Sequence, residues 1–319
     1  MKITVLAGGV GGARFLLGMR AAVDPADEVR AIVNTGDDMW LAGLRITPDL
    51  DSIMYALAGV NDTERGWGRV GETERVSAEL AAWGVGWPWF TLGDLDLGAH
   101  ISRTSWLRDG VPLSTVVERL TARWPLGVRL MPATDAEVET HVVVAEDGRE
   151  RDLHFQEWWT RHRAALTALR FEHPGQEDAV PAPGVLEAIA DADLIVLAPS
   201  NPVVSIGTVV AIPGIRAALH TASAPVVGVS PIIGGAVVRG MADACLSAIG
   251  VETSAGAVAR HYGARSDGGL LDAWLVDEVD AGVVDELRAA GIDARAVPLW
   301  MRDEASSAAL ATAVLGLAR

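Results

Sequence analysis

Short apolar segments alternate with helix-like spacing at both ends of the chain. The first segment, residues 2–7 (KITVLA), is followed by glycines within 8–12 and by apolar residues with helical spacing over 13–22. Comparable apolar segments occupy residues 29–33, 194–198, 225–229, 273–276 and 294–299. Strands buried on both faces of a parallel sheet are apolar throughout, and helices connect them. The pattern predicts an α/β fold, namely a Rossmann-like parallel sheet with helices on both faces.

The pattern changes in the middle of the chain. Amphipathic spacing predicts helices over 71–83, 112–124 and 156–169. Alternating polar and apolar residues in 140–145 and 151–155 predict an antiparallel hairpin around Asp147-Gly148. We therefore expect residues 61–184 to form an inserted, mostly helical subdomain. Residues 1–60 and 185–319 would then form the Rossmann-like nucleotide-binding core.

Charge and lysine content restrict the chemistry. The formal net charge is -16, and Lys2 is the only lysine. The negative charge argues against a nucleic-acid or an anionic-membrane partner. Because the chain has no lysine other than Lys2, a P-loop lysine and a Schiff-base lysine are excluded. Any bound phosphate must therefore be held by backbone N–H groups, by arginine or by a metal ion.

Cysteine usage and hydropathy indicate the compartment. Cys245 is the only cysteine and lies in an apolar segment, which predicts a buried helical residue and excludes a disulfide framework or a thiolate zinc site. No apolar run reaches the roughly 18 residues that a membrane span needs. The first residues lead directly into a strand, which predicts no signal peptide. We expect a cytoplasmic protein with no membrane partner.

Glycines are concentrated directly after the first predicted strand. Such a segment, at the N-terminus of a helix, brings N–H groups to a phosphate, although a turn that serves only strand–helix packing is the alternative. The spacing is not G-x-G-x-x-G, and the second strand ends at Val33-Asn34-Thr35 without an acid for ribose, which disfavours a nicotinamide cofactor. The predicted phosphate-binding residues here are Gly8, Gly9, Val10, Gly11, Gly12 and Arg14.

Four aspartates follow the second predicted strand. Asp37 and Asp38 come directly after it, and Asp49 and Asp51 lie a short distance further on. Open α/β sheets build their sites at the carboxyl ends of strands, and carboxylates suit Mg²⁺. One of them could equally orient or deprotonate an attacking hydroxyl. The alternative is structural, with an aspartate shaping a turn or capping a helix.

Further polar residues are candidates for binding. His100 and Arg103 share one face if their segment is helical, where they could bind a carboxylate or a phosphate, and a solvated pair is the alternative. Ser200, Asn201 and Ser230 follow later strands and could contact a nucleotide, unless they lie in ordinary turns.

Tryptophan is over-used, with eleven residues in the chain. Four are crowded into the middle segment: Trp67, Trp83, Trp87 and Trp89. Most are expected to pack within the protein, although such rings could also form the walls of a site for a flat aromatic substrate.

Six motifs occur in the order found in one family. They are AGGVGGAR at 7–14, VNTGDD at 33–38, TPDLDS at 47–52, LGD at 92–94 with His100 and Arg103-Thr104, PSNP at 199–202 and SPIIGG at 230–235. The chain resembles the 2-phospho-L-lactate transferase family of coenzyme F-420 biosynthesis, in its actinobacterial form. The resemblance runs from residue 1 to about 250 and continues as a helix–strand pattern to the end.

The resemblance implies a transfer reaction. The donor would be a guanosine diphosphate ester of lactate or, in actinobacteria, of enolpyruvate. The acceptor would be a ribityl hydroxyl of the deazaflavin Fo, and GMP would leave. The family uses Mg²⁺ and forms homodimers, and its motifs place the metal and Fo near Asp37 and Asp49. We therefore expect Asp37 and Asp49 to be catalytic, and His100 and Arg103 to contribute to the Fo site.

Two other classes of protein share parts of the pattern. A nucleotide-sugar-binding regulatory protein of the same fold would keep the glycine segment without needing the aspartates. A dinucleotide-dependent oxidoreductase is disfavoured by the end of the second strand. The choice between lactate and enolpyruvate stays open, with enolpyruvate favoured by the actinobacterial character of the sequence.

Overall fold

The computed structural model describes residues 1–318 of the chain. The strands are β1 (Lys2–Ala7), β2 (Glu28–Val33), β3 (Met39–Leu41), β4 (Leu44–Ile46), β5 (Arg129–Pro132), β6 (His141–Glu146), β7 (Arg149–His154), β8 (Ala168–Glu172), β9 (Leu194–Leu197), β10 (Val226–Val229), β11 (Ile232–Ile233), β12 (Ala236–Val237), β13 (Ala273–Val276) and β14 (Asp293–Ala296).

Helices connect most of these strands. They are α1 (Gly9–Ala22), α2 (Pro48–Ala58), α3 (Arg75–Ala82), α4 (Asp94–Arg108), α5 (Leu113–Thr121), α6 (Val185–Ala190), α7 (Thr208–Ala211), α8 (Ile215–Thr221), α9 (Ala242–Ala248), α10 (Ala255–Tyr262), α11 (Val284–Ala289) and α12 (Glu304–Leu315). Short π-helical turns occupy Glu157–Arg161 and Pro202–Gly207.

A seven-stranded sheet with the order β14-β13-β10-β9-β1-β2-β5 organises the molecule. Every neighbouring pair in it is parallel. The strand order changes direction between β1 and β9, since the chain builds outward from β1 to β2 and β5 and then returns to β9 on the other side. This is the topological switch point, where open α/β sheets leave a crevice at the carboxyl ends of their strands. The predicted α/β fold class is confirmed.

Two apolar cores lie on the two faces of the sheet. Leu6 and Leu197 belong to the core that includes α6, α8 and α10, whereas Val5 and Val196 belong to the core formed with α1, α2 and α12. Neighbouring residues of one strand thus enter different cores, because successive side chains of a strand point to opposite faces. This explains why the strands are apolar throughout and why their positions could be predicted from hydropathy.

The middle of the chain contains more strands than its helical spacing predicted. The hairpin of β6 and β7 is confirmed, and its turn residues Asp147 and Gly148 both have positive φ. The helix predicted over 156–169 is wrong. The chain forms only a π-helical turn there, reaches positive φ at Arg163 and Ala164, and continues as β8 beside β6. Packing of the buried Trp158 with aromatic neighbours fixes this turn in place of an amphipathic helix.

Strand β5 lies within the predicted insertion and yet forms the edge of the central sheet beside β2. Residues 61–184 also contain three helices and the antiparallel sheet β7-β6-β8. The division of the chain at these boundaries stays a prediction about folding units.

The glycine segment differs from the predicted turn in one respect. Helix α1 begins at Gly9, within the segment, and not at Ala13. A Cβ on Gly11 would fall against the Pro199 carbonyl oxygen, and one on Gly12 would lie 2.9 Å from the Ala7 Cβ. The glycines therefore allow the first turn of the helix to pack directly on the ends of β1 and β9.

Among the described residues, no single helix has the length and apolarity needed to cross a membrane. One bent pair of helices, Pro202–Ala211 and Ile215–Thr221, meets the criterion by length and composition alone.

The contact of α1 with α12 supplies a test of the packing. A Cβ on Gly18 would fall against the Ser307 carbonyl group, whereas a Cβ on the exposed helical Gly98 would meet nothing within 4 Å. We expect Gly18→Ala to lower the free energy of unfolding by about 1–3 kcal/mol through overpacking. Gly98→Ala, the matched control, should raise it by about 0.5–1 kcal/mol. Denaturant titration measures both, and equal effects would contradict the close approach.

Candidate active site

A cleft of about 1100 Å³ lies at the carboxyl ends of the central strands. Its floor includes the segments that follow β1, β2, β9 and β10, on both sides of the switch point. The predicted site residues that line it are Gly8, Gly9, Val10, Gly11, Arg14, Asp37, Asp49, His100, Ser200, Asn201 and Ser230. The other two, Gly12 and Arg103, are buried and do not line the cleft.

The glycine segment and the segment after β9 are tied together. The Gly8 N–H donates to Ser200 Oγ at 3.0 Å, and the Ser200 hydroxyl donates to the Gly8 carbonyl oxygen at 2.7 Å. The N–H groups at the start of a helix have no partners within the helix. Those of Val10 and Gly11 lie at the cleft, so this end of α1 is suited to an anion.

Two other predicted nucleotide contacts are occupied by local hydrogen bonds. Asn201 Oδ1 accepts from the N–H groups of Val203 at 2.9 Å and Val204 at 3.3 Å. Ser230 Oγ donates to the Ile232 carbonyl oxygen at 2.8 Å. Both residues line the cleft, and their side chains shape its loops.

Asp37 and Asp49 are held side by side by one amide group. Asn34 Nδ2 donates to Asp37 Oδ1 at 3.0 Å and to Asp49 Oδ2 at 2.9 Å. Gln156 Nε2 lies 3.5 Å from the second oxygen of Asp37. The two aspartates are only 7% and 5% exposed, and what remains exposed faces the cleft. Asn34 and Gln156 are site residues that the sequence did not single out.

The environment of this pair disfavours two negative charges. Burial raises the pKa of Asp49 to about 6, although hydrogen bonds from Asn34 and the Gly9 N–H oppose the shift. Burial and the neighbouring Asp49 raise the pKa of Asp37 well above its usual value. Both amide partners are neutral. The arrangement therefore lacks a positive charge that would stabilise the two carboxylates together.

A second acidic cluster lies beside the first but carries its own cation. Arg103, which is 1% exposed, donates to Asp51 and, at 3.1 Å, to the Arg45 carbonyl oxygen. Tyr55 Oη donates to Asp96 Oδ1 at 2.6 Å. The prediction that His100 and Arg103 share one face of a helix is confirmed. The alternative, that the pair is solvated, is wrong. Both side chains are buried in this network, which joins α2 to α4.

The two clusters differ in their fitness for a metal ion. Ligand atoms of Asp51, Asp96 and His100 lie within 4.8 Å of one another. However, Arg103 Nη1 lies 2.9 Å from His100 Nδ1, and arginine can only donate. The hydrogen of a neutral His100 is thereby assigned to Nε2, which then cannot be a ligand. Asp37 and Asp49 have no such competitor, and their uncompensated carboxylates suit Mg²⁺.

Helix α2 explains how the aspartates are presented. It begins at Pro48, so Asp49 and Asp51 lie in its first turn. Their side chains point in different directions, with Asp49 hydrogen-bonded to Asn34 and Asp51 to Arg103. The N-cap residue of α2 is Thr47, so neither aspartate caps the helix.

Aromatic rings form much of the remaining wall. They are Tyr55, Trp67, Trp89, Phe90, Phe155, Trp159 and Trp300. Trp87 stacks on Trp89 with ring centroids 4.8 Å apart, whereas Trp83 is 80% exposed and lies outside the cleft. The high tryptophan content was the sequence signal for this wall, but it did not identify Trp159 or Trp300.

The fold and the cleft define a Rossmann-like α/β protein with an anion-binding helix end opposite buried carboxylates. Protein BH3568 from Bacillus halodurans has a similar fold, with a TM-score of 0.63 and 18% identity over 98% of this chain and 99% of that chain. A second structure of the same protein, described as a member of the UPF0052 family, gives a TM-score of 0.61 and 17% identity over the same shares.

Sequence comparison identifies the family. The model described as 2-phospho-L-lactate transferase CofD matches residues 3–306. Proteins named phosphoenolpyruvate transferase are 58% identical in Streptomyces griseus, over 100% of this chain and 98% of the relative, and 55% identical in Nocardia farcinica, over 99% and 95%. The chain belongs to the 2-phospho-L-lactate transferase family. It is a transferase of coenzyme F-420 biosynthesis that moves a phosphoenolpyruvyl or phospholactyl group.

The raised pKa of Asp49 predicts a pH dependence of stability. Its folded-state value of about 6 exceeds the value of about 3.9 in an unfolded chain. The folded protein then binds more protons within that window, so its free energy of unfolding falls as pH rises through it. In metal-free buffer, Asp49→Asn should reduce this fall by on the order of 3 kcal/mol.

Denaturant titrations at several pH values measure the effect. Asp285→Asn is the matched control, since that carboxylate is 99% exposed and should leave the pH dependence unchanged. An unchanged slope in Asp49→Asn would show that Asp49 does not have the raised pKa.

Proposed function

We propose that this protein transfers a phosphoenolpyruvyl group from its guanosine diphosphate ester to the ribityl hydroxyl of the deazaflavin Fo, releasing GMP. The enolpyruvyl form of the donor is favoured because relatives at 52–58% identity are named phosphoenolpyruvate transferase. The observation that carries the proposal is the buried Asp37–Asn34–Asp49 group in the cleft beside the N-terminus of α1.

The donor's diphosphate would occupy the N-terminus of α1. Support comes from the N–H groups of Val10 and Gly11 and from Arg14, which all lie at the cleft. Glycine is needed at position 11 because a side chain would collide with Pro199. We assign Gly8, Gly12 and Ser200 to the shape of this subsite, since hydrogen bonds or packing already occupy them. Asn201 and Ser230 would define the neighbouring floor through their backbone.

The acceptor would lie along the aromatic wall. A deazaflavin ring is flat, and the rings of Trp89, Phe90 and Trp159 offer surfaces of matching shape. His100 reaches the cleft edge, whereas Arg103 would act through Asp51 as a positioning residue. These assignments keep His100 in the Fo site and place Arg103 behind it.

Asp37 and Asp49 would hold Mg²⁺. The ion, when bound, would neutralise the two carboxylates and the donor's diphosphate. The protein's own groups do the remaining work. Asn34 fixes the two carboxylates relative to each other, and α1 orients the diphosphate. A carboxylate oxygen of Asp37 or Asp49 would accept a hydrogen bond from the Fo hydroxyl. That bond would orient the hydroxyl toward the phosphorus atom that carries the enolpyruvyl ester.

The test is a transfer assay with Fo, Mg²⁺ and the guanosine diphosphate ester of enolpyruvate, with GMP release and product mass as readouts. We expect Asp37→Asn and Asp49→Asn each to lower turnover by roughly 100-fold or more. The fold should persist, because an amide preserves shape and removes only the buried charge. The circular dichroism spectrum checks this.

Asp285→Asn again serves as the control and should retain full turnover. Near-wild-type rates in both cleft variants would contradict the assignment of the aspartates. Binding of a nucleotide sugar without any GMP release would favour a regulatory protein. The expectations of a homodimer and of a cytoplasmic location stay predictions, and light scattering tests the first.

A further inference from the structure

Three arginines line the cleft without an acidic partner. Within residues 1–318, no carboxylate oxygen lies within 4.0 Å of the guanidinium nitrogens of Arg14, Arg239 or Arg302. The chain has 42 acidic residues and a net charge of -16, and these three arginines nevertheless have no acidic partner. Uncompensated positive charge in a cleft attracts an anionic ligand. If the three arginines lie in separate parts of the cleft, they imply a ligand with more than one anionic group.

The three arginines form two groups. Arg14 Nη1 lies 3.4 Å from the Met301 carbonyl oxygen, and Arg302 is the next residue after Met301, so these two share one part of the cleft near α1. Arg239 follows β12 and belongs to another part. Its Nη2 lies 2.6 Å from the position of a Cβ built on Gly66.

The residue after Arg239 is linked to Asp37 by a chain of contacts. The following residue, Gly240, approaches the Trp159 ring so closely that a Cβ there would lie 2.9 Å from it. Trp159 belongs to the π-helical turn that follows Gln156, and Gln156 contacts Asp37. These contacts connect Arg239 to Asp37 through Trp159 and Gln156, whereas Arg14 and Arg302 are connected to each other through Met301.

We propose that Arg239 binds the carboxylate of the group that is transferred. This inference rests on the proposed function, because it takes the donor to be a guanosine diphosphate ester. In both lactyl and enolpyruvyl esters, the carboxylate is bonded to the carbon that carries the ester oxygen. A guanidinium group binds a carboxylate through two parallel hydrogen bonds, which fixes orientation as well as position.

Local backbone structure leaves room for this contact. Gly66 has φ of 81°, and the absence of a side chain there gives space to the Arg239 guanidinium. Gly240 also has positive φ, 82°, and lets the chain pass against Trp159. Arg239 itself is exposed, so its replacement should leave the fold intact.

The test compares three ligands by calorimetry in Mg²⁺ buffer without Fo. They are GDP, the ethyl ester of guanosine diphosphate, which lacks a carboxylate, and the lactate ester. The wild type should bind the lactate ester about 10-fold or more tightly than the ethyl ester. Arg239→Gln should weaken lactate-ester binding by about 10- to 100-fold and leave GDP and the ethyl ester within about 2-fold.

Arg239→Lys keeps the charge without the planar fork, so its loss should be intermediate. Arg149→Gln is the matched control, since Arg149 is an exposed arginine on β7 outside the cleft, and it should bind all three ligands as the wild type does. Equal weakening of all three ligands by Arg239→Gln would place Arg239 on the diphosphate and overturn the inference. Unchanged affinities would overturn it as well. A wild type that binds neither GDP nor either ester would instead refute the proposed function itself.

Discussion

The hydrogen bonds from the Asn34 amide to Asp37 and Asp49 are the interaction on which the site depends. Two buried carboxylates repel each other, and burial raises the pKa of both. One neutral amide positions them without neutralising them. The unbalanced charge is a cost to the folded protein, and a cation with its anionic substrate would remove that cost. The neighbouring Asp51 illustrates the opposite solution, because Arg103 pairs with it directly.

The sheet topology brings these groups together. Asn34 follows β2, the glycine segment follows β1, and Ser200 follows β9. These three strands are adjacent, and the strand order changes direction between two of them. The carboxylates and the N-terminus of α1 therefore border one crevice together with Ser200, which comes from a distant part of the chain. Phosphoryl transfer requires mainly positioning and charge neutralisation, which this arrangement can supply without a P-loop lysine.

Much of the fold and part of the site could be predicted from the sequence. Strands such as β1 and β9 are buried on both faces, so their hydropathy identifies them. The segment after Gln156 could not be predicted, because its helical spacing was overridden by the packing of Trp158. Asp37 and Asp49 belong to a cluster of four aspartates after the second predicted strand, and the family resemblance selected these two from it.

Contacts between segments that are distant in sequence could not be predicted. The role of Asn34 depends on the position of α2, and the burial of Arg103 depends on the packing of α4 against β4. Arg239 comes shortly after the SPIIGG motif, but the motif does not show which part of the cleft the arginine contacts. Gly66, which lies against the Arg239 guanidinium, and Trp159, which lies against Gly240, are far away in sequence, and only the fold shows that they meet.

Anomalous scattering from crystals soaked with Mn²⁺, a substitute for Mg²⁺, would locate the metal ion. If Asp37 and Asp49 hold the ion together, one strong peak lies at bonding distance from carboxylate oxygens of both residues. A peak in the cluster of Asp51, Asp96 and His100, or no peak in the cleft, would contradict this assignment.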